Sequence, residues 1–326
     1  MKIDSYKIEG LHNQFSFEGE LDENVNILVG NNGSFKSTLL HVLYYMSQSK
    51  NMHGLYNIKN AFVYFDEQKN LIAYRSFEGS FADFQEKAMS EASIAEAVER
   101  IQKKITTDNI QNVVIGMEQY GYSLNGKPST EEDFKKLIKV DFISTFDVKG
   151  KTEDDKHTLL DIMLDKLQSE YSFYLSGLAK QMTDIINKEG SISKDELDRI
   201  NCQKNLMIRF VNEAFLKTGK SLAPDKGKLE FQFDNGHTID SYALSAGEKQ
   251  LLIILLTVLL EENQEYIVLL DEPEISLHVD WQYKLVEMMT QLNPNAQFVI
   301  TTHSPGIFAD GWGDKIVYMD KITRKM

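Results

Sequence analysis

Gly30-Asn31-Asn32-Gly33-Ser34-Phe35-Lys36-Ser37-Thr38 lies between an apolar strand, Asn24 to Val29, and a helix pattern running from Ser37 to Met46. Strand, glycine loop and helix in that order are the setting of a phosphate-binding P-loop. Backbone N–H groups of such a loop point inward at phosphate oxygens, and the field of the helix N-terminus favours the same negative charge. On this reading Gly30, Asn31, Asn32, Gly33, Ser34, Phe35, Lys36, Ser37 and Thr38 hold a nucleotide. Lys36 reaches its β- and γ-phosphates, and the Ser37 hydroxyl takes one magnesium position. One position departs from the usual form. Phe35 stands where a second glycine would precede the lysine, so its side chain either crowds the nucleotide or penalises a positive φ.

Three later segments supply matching chemistry. Tyr266-Ile267-Val268-Leu269-Leu270 is all apolar, as a parallel strand covered on both faces must be, and it ends abruptly in Asp271-Glu272. Two carboxylates at the mouth of a buried strand are costly unless used. Asp271 would organise magnesium and Glu272 would polarise the attacking water. Gln297-Phe298-Val299-Ile300-Thr301 is a second buried strand, followed by Thr302-His303-Ser304-Pro305. A lone histidine is usually structural, but His303 leaves the carboxyl end of a strand, the edge where open α/β sheets bind ligands. There it would sense the γ-phosphate. Leu244-Ser245-Ala246-Gly247-Glu248-Lys249-Gln250, in isolation an N-cap signal through Ser245 and Glu248, lies 21 residues before the start of the acidic strand.

Composition sets the limits. A chain of 326 residues holds one large core or one core with an insertion. The single cysteine, Cys202, excludes an internal disulfide and a cysteine zinc site, and fits a cytoplasmic protein. The N-terminus lacks the features of a signal peptide. The most apolar run, Leu251 to Leu260, is half the length of a spanning helix, so no membrane role is expected. With 35 basic against 49 acidic residues the net charge is −14, so coating nucleic acid is not the main task. Local contact through clusters such as Lys135, Lys136 and Lys139, or Lys226 and Lys228, stays open.

The middle of the chain reads as structure. Ala61–Phe77, about Glu67–Asn70, and Val113–Pro128, about Asn125-Gly126, are hairpin patterns. Phe81 to Ile105 is helical in pattern, and Asp141 to Thr145 is a buried strand. Leu160, Leu164, Leu167, Tyr171, Tyr174, Leu178, Met182 and Ile185 form a seam at spacings of three and four, interrupted by Gly190. Ser193 and Glu196 then cap a second helix, with a seam through Leu197, Ile200, Met207, Val211 and Ala214. This predicts an antiparallel helical hairpin, lying on its own domain or projecting as an arm. Strand chemistry resumes at Leu229 to Leu244, with a tight turn at Asn235-Gly236.

Taken together, the four chemical segments resemble the ABC ATPase superfamily. Leu244–Gln250 is similar to its signature loop, Asp271-Glu272-Pro273-Glu274 to its Walker B motif, Ser276-Leu277-His278 to its D-loop and His303 to its switch histidine. The 209 positions between Lys36 and Ser245, with a hairpin among them, resemble RecF and SMC proteins rather than transporters. The acidic and histidine motifs resemble the AAA-15/AAA-21 group, which includes the ATPase half of OLD-family nucleases and many anti-phage systems.

The resemblance implies an α/β fold of the ABC head type, a P-loop mixed sheet with helices in two lobes and an inserted antiparallel helical hairpin. Residues 1–150 would form the N-terminal lobe, 151–223 the hairpin and 224–326 the C-terminal lobe. It further implies ATP and Mg2+, with Ser37 and Asp271 on the metal and Glu272 and His303 catalytic. Ser245 and Gly247 of one protomer would close over ATP held by the other, so a homodimer is expected. The chain ends soon after His303 with no nuclease domain, so the effector would be a separate protein. A non-hydrolysing nucleotide-binding scaffold and a RecF-like DNA-repair clamp are the alternatives. The glutamine that usually follows the Asp141–Thr145 strand is missing, and Asp147 is the nearest substitute.

Overall fold

The computed structural model describes residues 1–48, 58–65, 71–76, 119–124, 127–144, 158–223 and 229–326. Along the chain, β1 (Ile3–Leu11), β2 (Phe15–Glu20) and β3 (Val25–Val29) precede α1 (Lys36–Ser47). Then come β4 (Asn60–Phe65), β5 (Leu71–Ser76), β6 (Gln119–Leu124), β7 (Lys127–Ser129), α2 (Glu131–Leu137) and β8 (Val140–Ser144). The helices α3 (Leu159–Glu189), α4 (Lys194–Ile200) and α5 (Cys202–Phe215) are followed by β9 (Lys220–Leu222), β10 (Glu230–Phe233) and β11 (Thr238–Asp240). The rest comprises α6 (Ala246–Leu260), β12 (Ile267–Asp271), α7 (Val279–Leu292), β13 (Gln297–Thr302), β14 (Ile316–Tyr318), α8 (Met319–Ile322) and β15 (Thr323–Lys325).

A parallel sheet of order β14-β3-β13-β12-β8 is the frame on which the chemistry hangs. Its strands come from both ends of the sequence: β3 and β8 lie within the first 150 residues, the others beyond 266. The all-apolar runs follow from burial on both faces. Val268 and Leu270 of β12, with Phe298 and Ile300 of β13, face a core shared with α3, α5, α6 and α7. Ile267, Leu269 and Val299 face the opposite core, shared with α1 and a seven-stranded antiparallel sheet of order β15-β2-β1-β4-β5-β6-β7. Leu251 to Leu256 of α6 are all fully buried, at roughly 1.5–3 kcal/mol each. Among the described residues no helix is long and apolar enough to cross a membrane.

Both expected hairpin strand pairs are present, β4 with β5 and β6 with β7, but their turns at Glu67–Asn70 and Asn125-Gly126 lie outside the described residues. So does the helix expected over Phe81–Ile105.

The helical segment differs from expectation in where its seam goes. Leu160, Leu164, Leu167, Tyr171, Tyr174 and Leu178 are buried, but α3 packs chiefly on α6, on which α5 also packs, while the short α4 returns along α3. Beyond Leu178 no residue of α3 is buried, and α4 buries none. Its base therefore lies on the domain while its tip stands clear. The expected second helix is also broken, at Asn201, whose side-chain amide donates to the Leu197 carbonyl (2.8 Å) and competes with the helical ladder.

Candidate active site

Parallel strands align their carboxyl ends, so β3, β12 and β13 deliver Gly30, Asp271-Glu272 and Thr302-His303 to one edge of the sheet. A cleft of 310 Å³ opens there, lined by Asn32, Gly33, Ser34, Phe35, Lys36, Ser37, Thr38, Glu272 and His303. Gly33 turns the loop at φ +78° with open space where a Cβ would project, so the backbone faces the cleft uncovered. Gly30 and Asn31 open the loop. Their carbonyls accept from the Lys36 Nζ at 3.0 and 3.4 Å.

Lys36 also meets the His303 Nε2 at 2.7 Å, and the same Nε2 lies 3.3 Å from the Glu272 Oε1. With Nε2 unprotonated, the lysine donates to the ring. Beside them the Ser37 hydroxyl donates to the Asp271 Oδ1 (2.8 Å), which also accepts from the Thr301 hydroxyl (2.5 Å). The Glu272 backbone takes a left-handed φ of 49° and its N–H donates to the Thr301 carbonyl (3.0 Å), turning its side chain away from Asp271's course. Burial draws the Lys36 ammonium below the usual lysine range, while the charges of Glu272, Asp271 and Glu274 act against that shift.

Phe35 takes the costly backbone state, φ 67°, at the start of α1. Its ring packs with Phe15 (4.9 Å between centroids), Phe17 (5.9 Å) and His12 (6.2 Å), which ties the loop to β2 and the turn before it. The positive φ raised by its sequence position is thus realised, and Phe35 also lines the cleft.

Ser245 and Gly247 are not in this cleft. Ser245 caps α6 through a reciprocal pair of hydrogen bonds with Glu248. The Glu248 carboxylate is further held by Lys220 (2.8 Å) and Thr218 (3.0 Å). Thr218, Ser245, Gly247 and Glu248 line a second cleft of 580 Å³ with Ala214, Ser276, Leu277, His278 and Trp281, and it shares no residue with the first. A Cβ on Gly247 would collide with the Ser276 carbonyl, so only glycine lets the loop lie against the turn after β12.

Thr301 was not singled out by sequence, though a fully buried threonine at the end of an apolar strand was the available signal. Ser144, at the end of β8, sits in register with Asp271. Asp147, the expected glutamine substitute, lies outside the described residues.

The residues present suit a magnesium-bound triphosphate. Lys36 is a cation only 4 % exposed, held by the Gly30 and Asn31 carbonyls and the His303 ring. The Ser34 hydroxyl, at the loop's bend, is buried without a hydrogen-bond partner. Ser37 and Asp271 offer adjacent hard oxygens that would hold a magnesium ion.

Several known proteins are similar to this chain. A probable ATPase of retron Vc95 from Vibrio cholerae is 22% identical over 92% of this chain and 70% of its own length. A probable ATPase of retron Ec83 from Escherichia coli is 25% identical over 58% of this chain but only 38% of its own length. The Septu protein PtuA of Bacillus thuringiensis is 22% identical over 93% of this chain and 72% of its own. Among solved structures, an SMC head bound to the C-terminal winged-helix domain of ScpA has a TM-score of 0.54 at 14% identity, covering 100% of this chain and 98% of that one. The SMC head domain of Thermotoga maritima gives 0.50 at 14% identity, covering 95% and 92%. The fold is thus that of the ABC-type ATPase heads. Residues 25–309 match the family model described as "AAA domain, putative AbiEii toxin, Type IV TA system", and this chain belongs to that family, AAA_21.

Proposed function

We propose that this chain binds Mg-ATP in the first cleft and hydrolyses it as a homodimer, serving as the regulatory subunit beside a separate effector in a bacterial defence system. The observation that carries this reading is the meeting of Lys36, Glu272 and His303 at one sheet edge, with the Ser37–Asp271 pair beside them. The metal, when bound, neutralises charge on the transferring phosphoryl group. Lys36 exchanges its loop carbonyls for β- and γ-phosphate oxygens. Ser37 and Asp271 hold the metal's side of the cleft. Glu272 takes a proton from the attacking water, whose oxygen bonds to the γ-phosphorus as the bond to the β-phosphate oxygen breaks. His303 holds the far side of the γ-phosphate.

Separation of the two clefts supports a composite site, in which Ser245 and Gly247 of one protomer cover the nucleotide of the other. ATP then favours the closed pair because only that state makes both sets of contacts. The names of the retron and Septu relatives support the defence role. Residues 151–223 are read as an insertion between the lobes 1–150 and 224–326, its clear tip available to a partner. A single cysteine supports a cytoplasmic setting.

The test is phosphate release by the purified chain with Mg-ATP, alongside light scattering. Glu272→Gln should cut turnover by roughly 10²–10⁴-fold and trap an ATP-bound dimer. Turnover by Glu272→Gln at the wild-type rate would overturn the reading. Tight ATP binding without phosphate release by wild type would instead favour the scaffold, the reading that Phe35 at φ 67° motivates.

A further inference from the structure

Two polar residues, Glu274 and Gln282, have no part in the chemistry proposed above, yet they tie the turn after β12 to the segment after β13. The Glu274 Oε1 accepts from the Thr302 hydroxyl (2.7 Å), the His303 N–H (2.7 Å) and the Ser304 N–H (3.2 Å). It therefore fixes the backbone from which the His303 ring reaches Lys36 and Glu272. Gln282, in the first turn of α7, uses both ends of its amide. Its Nε2 donates to the Leu277 carbonyl (3.1 Å) and the Glu274 carbonyl (3.4 Å), while its Oε1 accepts from the Ser304 hydroxyl (2.6 Å).

The other end of this chain of contacts reaches the second cleft. Ser276, Leu277 and His278 line that cleft, and Ser276 holds a left-handed φ of 70° with its carbonyl seated against Gly247. A continuous series thus runs Gly247, Ser276, Leu277, Gln282, Ser304, His303. Each step is a bond of the chain, a hydrogen bond or a van der Waals contact. Ser276 is a non-glycine residue held in the left-handed region, a costly state that its packing against Gly247 helps to maintain.

We infer that Gln282 is a positioning residue that couples occupation of the second cleft to the placement of His303 in the first cleft of the same chain. The inference rests on the composite-site reading, under which the second cleft covers the partner's nucleotide. Closure on one ATP would then set the histidine at the other. Hydrolysis becomes cooperative because two sites bias one shared element. A residue that merely satisfied loose carbonyls would affect stability without affecting that coupling.

The experiment is the dependence of phosphate release on ATP concentration for the full chain, with ATP affinity measured separately by a fluorescent ATP analogue. Wild type should give a Hill coefficient approaching two, about the number of coupled sites. Gln282→Met keeps the volume but neither amide bond. It should bring the coefficient to about one and lower kcat by roughly ten- to a hundredfold, the effect of a small misplacement of a catalytic group, with affinity changed less than about twofold. Gln282→Glu keeps the acceptor for Ser304 but loses the donor to Leu277, and should not rescue coupling. Ser304→Ala should shift the same quantities the same way, less far. Wild-type turnover that is not cooperative, or cooperativity unchanged in Gln282→Met, overturns the coupling and leaves the ATPase reading standing. No binding of the analogue by wild type overturns both.

Discussion

The two clefts handle their charged groups in opposite ways. In the first, Lys36 bends back onto the carbonyls of its own loop and onto His303, groups that bring it no negative charge. In the second, every partner is in place: Glu248 is met by Lys220, Thr218 and Ser245. At the neighbouring helix start Lys249 pairs with Asp161 (2.7 Å), which in turn caps α3. An arrangement left short of an anion suits a receptor for one. An arrangement satisfied within itself suits a rigid platform that presses on something brought to it. Preorganisation is thus divided between the clefts, with charge in one and shape in the other.

The comparison breaks most visibly at Glu248. Removing its carboxylate by Glu248→Ala strands Lys220, only 14 % exposed, and should cost about 3–5 kcal/mol in urea denaturation. Burial alone would raise this carboxyl, but Lys220, Ser245 and Thr218 outweigh it and hold it below the ordinary glutamate value of 4.5. The stabilisation is therefore present above that value and lost as pH falls through the lower folded one. A loss under 1 kcal/mol at neutral pH would show the platform to be loosely held.

Glu261 sharpens the contrast from outside both clefts. At the end of α6, 2 % exposed, it is pushed up to about 9, first by burial and then by the charge of Asp141, against a hydrogen bond from Asn293. The folded protein keeps this proton, whereas the unfolded chain releases it above about pH 4.5. Stability from this group is complete below that pH and declines as pH rises toward 9. Glu261→Gln should match wild type near pH 4.5 and gain on it by roughly 1 kcal/mol per pH unit above, read from denaturation midpoints. Parallel pH profiles for the two proteins would contradict this.

Phe35→Gly gives the smallest effect. It relieves a left-handed φ worth about 1 kcal/mol but removes a ring packed on Phe15 and Phe17, worth about 2 kcal/mol. The net loss should be about 1 kcal/mol, with ATP affinity changed less than about threefold. A tenfold gain in affinity would mean the ring obstructs the nucleotide.

The site was more legible in the sequence than the packing around it. β12 and β13 announce themselves because burial on both faces keeps Ile267 to Leu270 and Phe298 to Ile300 apolar, and the polar residues just past the strand ends, Glu272 and His303, line the cleft. The P-loop is equally plain, since few sequences place glycines, lysine and serine between a strand and a helix. Thr301 was faint because a threonine ending an apolar strand is common, and the Asp271 carboxylate it donates to lies 30 positions away in sequence. The seam of α3 reported correctly that one face is buried, but periodicity does not say against what, and the answer was α6 rather than a facing arm. β15 was illegible, because Thr323-Arg324-Lys325 is short and charged and is held at the sheet edge by β2 alone. Glu274 and Gln282 stand between these extremes: the first lies in a readable motif, while the second lies on an ordinary-looking helix.

The division of labour between the clefts is tested most directly by mixing two inactive chains. Lys36→Ala lacks a working first cleft, and Ser245→Arg lacks a working second one. In a mixed dimer one composite site is whole. The account predicts phosphate release from the mixture that neither variant gives alone. Full activity of Ser245→Arg by itself, or a mixture as inert as its components despite forming dimers, would contradict it.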